Sequence, residues 1–257
     1  MRIKKIAACV GVFVLVAVPC LGFPLKYLIE TFDGPLEEAS WRTGATDEIV
    51  AAGGNPGAFL HAPPVATDTP SIATKGFPGI WTGRYRDMGV IELGIDVELV
   101  GDTSPALDSP APSELMGDGI APDDPANAAT WDDRPVSLEL INEGNIWGDP
   151  TDDCIVVQVG KKLPKTGAGW RPYSFHVPSY MTSLPSGWTV RASCGESSPD
   201  AVWNKVMGYV GEARFVLGDP DVPYPVEMWD VGFDNPRLQA GKNRGSGPTL
   251  TVIDSLR

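Results

Sequence analysis

The stretch Val90-Ile91-Glu92-Leu93-Gly94-Ile95-Asp96-Val97-Glu98-Leu99-Val100 decides the fold. Ile91, Leu93, Ile95, Val97 and Leu99 take alternate positions, with Glu92, Gly94, Asp96 and Glu98 between them. Successive side chains of a strand point to opposite faces, so this period of two predicts a half-buried antiparallel strand. Its apolar row faces inward and its acidic row faces water.

Shorter strings of the same kind recur at 58–61, 136–140, 154–159, 173–177, 188–191, 212–217 and 226–238. The first is expected to stop at Pro63-Pro64, and the last to break near Pro236, because proline cannot donate to a ladder. Gly53-Gly54-Asn55-Pro56-Gly57 and Leu184-Pro185-Ser186-Gly187 mark turns. Many brief strands separated by turn residues predict an all-β antiparallel sandwich or barrel. One short helix is expected over 200–206, with Ser198-Pro199-Asp200 as its cap.

The length of 257 residues fits one β domain, placed at 23–239. Within it, 101–135 is rich in Pro, Ala, Ser and Asp and poor in large apolar residues, which predicts a long exposed loop insertion. The tail 240–257 opens on a Gly-Lys-Asn-Arg-Gly-Ser-Gly linker composition, and Leu250-Thr251-Val252-Ile253 offers one more edge strand.

Residues 1–22 read as a signal peptide. Arg2, Lys4 and Lys5 precede an uncharged apolar run over 6–21, too short to span a bilayer. Pro19 stands before Cys20 where a lipoprotein signal wants a small residue, so ordinary cleavage is the expectation. The net charge of −13 becomes more negative once these basic residues are removed. Such a surface argues against nucleic acid and anionic membrane as partners. No other segment is apolar enough for a spanning helix, so no membrane insertion is expected. The predicted location is secreted or otherwise extracytoplasmic. Cys154 and Cys194 are the cysteines left beyond the leader, and in an oxidising compartment they form one disulfide by default; two separate buried thiols are the alternative.

Catalytic equipment is sparse. His61 and His176 are the only histidines, and neither has a second histidine at zinc spacing. No nucleophile elbow, phosphate loop or dinucleotide fingerprint occurs. The acidic row offers one enzymatic reading, a sandwich-fold glycoside hydrolase using Glu92 and Glu98, with carboxylates spaced along one strand. The solvent side of an outer strand explains the same row without chemistry.

A binding role stays open. Trp41, Trp188, Trp203 and Trp229 lie in or beside strand strings and read as core or capping residues. Trp131, Trp147 and Trp170 lie in loops, where an indole stacks on a sugar ring or covers the end of the sandwich. Trp131, Trp147 and Asp149 are the candidate ligand contacts. Near the two ends of the domain, Asp33 and Asp234 are candidate oxygen ligands for a structural Ca²⁺, against ordinary turn chemistry as the alternative.

Several motifs fall into a known arrangement. Phe32-Asp33-Gly34, Trp41 and Gly53-Gly54-Asn55-Pro56-Gly57-Ala58-Phe59-Leu60 come first. Trp81, Gly83 and Tyr85 follow, then Gly187-Trp188 and Val231-Gly232-Phe233-Asp234-Asn235-Pro236-Arg237-Leu238. Together they resemble the laminin B (domain IV)-like modules found in bacterial exported proteins. Pro236 departs from the Val or Ile usual after the Asp-Asn pair, and 101–135 is unmatched. The resemblance implies a jelly-roll, galactose-binding-like sandwich with a non-catalytic extracellular role, in adhesion or contact with a glycan or another surface component. Some sandwiches of that wider class hold a structural Ca²⁺ near their terminal strands, and the resemblance supplies no catalytic residues. A purely structural envelope or matrix protein is the third expectation.

Overall fold

The computed structural model describes residues 26–44, 46–75, 79–101, 134–144, 152–224 and 226–241. The leader, most of the loop insertion, Trp131, Trp147, Asp149 and the tail string 250–253 lie outside the described residues.

The described chain forms two antiparallel sheets. The strands are β1 (Lys26–Ile29), β2 (Trp41–Arg42), β3 (Glu48–Gly54), β4 (Gly57–Thr67), β5 (Ser71–Thr74) and β6 (Val90–Leu99), followed by β7 (Pro135–Asn142), β8 (Cys154–Lys162), β9 (Arg171–His176), β10 (Trp188–Ser193), β11 (Glu212–Leu217) and β12 (Glu227–Ala240). The first sheet runs β3-β4-β12-β6-β9, with β1 pairing onto the end of β12; the second runs β10-β8-β7-β11-β5-β2. Phe175 on β9 meets Phe215 on β11 with ring centroids 5.8 Å apart. Trp41 on β2 stacks on the same Phe215 at 5.4 Å. The inner faces thus share one apolar interior, in which each fully buried Val, Leu or Phe is worth about 1.5–3 kcal/mol.

The opening string is a strand, with one shift of phase. Leu93, Ile95 and Val97 are fully buried, as predicted. At its start, Ala240 lies opposite Val90 while Gln239 lies opposite Glu92. Ile91 is therefore the extra residue of a bulge: Val90 takes the inward place and Ile91 is only half-buried. The expected water-facing row is corrected as well, since Gly94 and Asp96 are buried on the outer face.

Neither proline site ends its strand. Pro63 and Pro64 fall at a bulge where Ala62 faces Val231 and Val65 faces Trp229. They also lie beyond the last β3 pairing, Glu48 with His61, so their missing amides forfeit nothing on that side. Pro236 sits in the bulge between Asp234 and Arg237 on β12, and its carbonyl accepts the Glu30 amide at 3.0 Å.

Two α-helices among the described residues pack against each other. The short α1 (Tyr85–Met88) ends at Gly89 in the left-handed region, φ 68°. The longer α2 (Pro199–Gly208) has proline in its first turn, and the Ser198 hydroxyl accepts the Ala201 amide at 3.2 Å. Its Val202, Trp203, Val206 and Met207 are buried, with Trp203 against Trp188 at 5.2 Å. Trp41, Trp188 and Trp229 are buried on strands, and Trp203 is buried on α2. Cys154 and Cys194 are bonded to each other.

Candidate functional site

The outer face of the first sheet brings together most of the chemistry-bearing residues named from the sequence, and turns them to structural use. Glu92 and Glu98 lie six residues apart on one continuous strand, roughly 20 Å at the rise of a β-strand. Paired glycosidase carboxylates stand about 5–9.5 Å apart, so these two do not form such a pair. Between them, Asp96 accepts a 2.7 Å hydrogen bond from Arg237 Nη1 and bonds at 3.1 Å from both the Asn55 and Asn235 amides. Gly94 lies opposite Arg237; a methyl there would stand 2.7 Å from the guanidinium Nε and 2.6 Å from the Tyr173 carbonyl.

Asp33 and Asp234 do come to one corner, at the β3–β4 hairpin. Asp234 is fully buried, and its carboxylate accepts the Asn55 amide at 2.5 Å and the Asn235 amide at 2.7 Å. Asn235 in turn donates its side-chain amide to the Asn55 carbonyl. Asp33 is exposed, takes a 2.8 Å bond from the Thr31 hydroxyl and lies beside Gly57. Burial pushes the Asp234 carboxyl up to about 6; the two backbone amides oppose this, and the charges of Asp96 and Asp33 add to it. The Gly-Gly-Asn-Pro-Gly turn and the Asp-Asn pair are thus two halves of one polar lock. Among the described residues, no group of three or more His, Cys, Asp or Glu side chains is placed to hold a metal ion.

Beside this lock lies His61, in contact with two carboxylates. Its Nδ1 is 2.7 Å from Glu48 and its Nε2 2.6 Å from Asp230. Satisfying both acceptors requires a proton on each ring nitrogen. Burial works against that charge, but the hydrogen bonds and negative charges of Asp230 and Glu48 outweigh it and raise the imidazole above its ordinary value. Trp170, a loop tryptophan in the sequence reading, lies over Gly232, meets Phe59 edge-on at 5.3 Å and donates its indole N–H to the Gly53 carbonyl at 2.7 Å. It covers the sheet.

The second sheet presents a concavity instead. A groove of about 440 Å³ lies on its outer face, lined by Asp68, Ser71, Glu139, Arg191, Arg214 and Asp221, with Val216, Pro220, Val222 and Pro223 as its apolar wall. That volume is within the range of small-ligand sites. Glu139 on β7 faces Arg214 on β11 by strand register, and Arg191 projects from a bulge in β10. Glu139 is fully buried and receives Arg191 at 2.5 Å and Arg214 at 3.3 Å, whose side chains are 37% and 35% exposed. Arg214 also meets Glu212 at 2.5 Å, and Arg191 approaches Asp221 at 3.7 Å.

A returning loop, 218–224, makes the rim. The Ser137 hydroxyl donates to the Gly218 carbonyl at 2.7 Å, and the Tyr224 hydroxyl accepts the Asp219 amide at 3.1 Å. Arg134, fully buried, fixes both walls: its guanidinium lies 4.1 Å from the Tyr224 ring centre, donates to the Asp68 carbonyl at 2.6 Å and pairs with Glu227 at 2.5 Å.

Comparison with known proteins gives little beyond this. No family model matches the chain, and no curated protein matches it. Among solved structures it is similar to the L4b domain of human laminin alpha-2, at 9% identity and a TM-score of 0.34, over 85% of this chain and 98% of that one. That is a weak laminin-B-like resemblance, and no residue role is carried over from it.

Sequence reading missed the groove. Its residues come from five separate segments, and the alternation in 136–140 marks Ser137 and Glu139 only as outward. The usable signal was the pair of arginines, Arg191 and Arg214, at outward positions of two strands of a strongly acidic chain.

Proposed function

We propose that this is an exported, non-catalytic binding module whose two sheets form a jelly roll and whose ligand is a glycan or another extracellular surface component. The observation that supports the reading most is the groove over the second sheet. Guanidinium donors and carboxylate acceptors alternate there beside a short apolar wall, the mixture that a hydroxylated ring with polar edges and C–H faces requires. The leader-like start and the Cys154–Cys194 bond agree with export. Trp131, Trp147 and Asp149 belong to the proposal as additional loop contacts, and Asp33 with Asp234 as the corner where a calcium ion would be sought.

The test is a glycan array and a polysaccharide pull-down with the purified chain, repeated with Val222→Asp and Trp147→Ala. Binding that Val222→Asp abolishes while the melting curve is unchanged supports the groove. Binding lost only in Trp147→Ala moves the site to the loops. Retention on no glycan retires the reading.

A further inference from the structure

We infer that the groove over the second sheet selects an uncharged saccharide and discriminates against acidic ones. The inference rests on the binding-module reading and adds the ligand class. Each guanidinium in the groove already has carboxylate partners: Arg191 has Glu139 and Asp221, while Arg214 has Glu139 and Glu212. A uronate or sulfate entering here would have to compete with Glu139, which is fully buried and held from both sides. It would also face Asp68 and Asp221 on the rim. A cationic ligand would meet Arg191 and Arg214 instead. A neutral polyol meets neither cost. Its hydroxyls accept from N–H groups of guanidiniums that stay about a third exposed and donate to carboxylate lone pairs, leaving the existing ion pairs in place.

The apolar wall narrows the choice further. It consists of Val216, Val222, Pro220 and Pro223, and among the described residues no aromatic ring lines the groove. Recognition by these residues depends on ring edges and hydroxyl directions, which suits a short oligosaccharide better than the surface of a crystalline polymer. Asp221, whose side chain is 57% exposed and stands on the rim loop, is the specificity-determining acceptor. Arg134 is a positioning residue: it touches no groove volume but holds the Asp68 carbonyl and the Tyr224 ring that set the width of the groove.

Isothermal titration of the purified chain with cellohexaose, laminarihexaose, mannohexaose and chitohexaose, alongside hexagalacturonate and a heparin hexasaccharide, tests this. At least one neutral probe is expected to bind, with affinity unchanged between low and high salt. Asp221→Ala should weaken it about tenfold, the loss of one charge-assisted hydrogen bond. Ser71→Ala should weaken it less, and melting curves of both variants identify any loss that is merely unfolding. Preferential binding of either acidic probe, falling steeply with salt and sensitive to Asp221→Ala, overturns the selectivity while leaving the binding-module reading intact. Binding of a neutral probe that neither variant alters removes the groove as its site. Silence from every probe overturns the reading beneath the inference.

Discussion

Arg237 holds Asp96 across the outer face of the first sheet, Nη1 to Oδ1 at 2.7 Å, with both side chains nearly out of water. Like the paired arginines of the second sheet, it joins a buried carboxylate on one strand to a cation on another. The sandwich is therefore fastened on its outside as well as through its apolar interior.

Removing one partner of this pair strands the other. Arg237→Met is expected to cost about 3–5 kcal/mol, because Asp96 stays buried without its counter-charge. Adding Asp96→Asn to that variant should recover much of the loss. Urea unfolding of the single and double variants measures it; equal stability of the wild type and Arg237→Met would show that the pair contributes nothing.

Stability should fall as pH rises from about 4 through the Asp234 value of about 6 and on through the raised His61 value. The folded chain keeps a proton on Asp234 up to about 6, whereas the unfolded chain releases it near 3.8, so the folded state binds more protons in that window. His61, raised above 6.5 in the fold, adds stability below 6.5 that is lost as pH climbs through its folded value. Both contributions have the same sign. Melting temperatures across this range should decline, and His61→Gln should flatten the upper part of the slope while leaving the lower part.

Gly232→Ala should displace Trp170. The added methyl would stand 2.8 Å from the indole Cη2, and the ring's bond to the Gly53 carbonyl would be lost as it moves. Overpacking of this kind costs about 1–3 kcal/mol. The indole N–H resonance of Trp170 is the readout, assigned with Trp170→Phe; an unshifted resonance would contradict the packing.

Reduction of Cys154–Cys194 should destabilise the chain by about 4 kcal/mol from the chain entropy of the loop it closes, whose ends are 40 residues apart in sequence. Cys154→Ser with Cys194→Ser should match the reduced protein in guanidinium unfolding. An unchanged midpoint would mean that the bridge is thermodynamically silent.

The interior was legible in the sequence because burial on one face imposes a period of two, as in Leu93, Ile95 and Val97. The outer faces were not. Asp96 and Glu139 carry the pattern of solvated residues, yet each is buried by a partner from a distant segment: Arg237 in one case, Arg191 and Arg214 in the other. Period alone cannot reveal such cross-strand cover. Pro63-Pro64 and Pro236 misled for a related reason, since a bulge removes the need for the amide that proline lacks. The strands β1, β2, β3 and β5 were missed because few of their residues alternate for long enough to register. Asp33 and Asp234 lie near the two ends of the domain, where paired terminal strands could let them meet; that the Asn55 backbone amide donates to Asp234 there is something residue type alone does not reveal.

β6 belongs to the first sheet and β7 to the second, and the residues that flank the connection between them are firmly anchored. The Val100 amide is bonded to the Asp230 carbonyl at 2.9 Å, and the Arg134 carbonyl accepts the Leu163 amide at 2.7 Å. Chain length between fixed posts costs little, about 0.6 kcal/mol for each doubling. A reporter or a second domain grafted between these posts is accordingly expected to leave the melting curve of the sandwich unchanged.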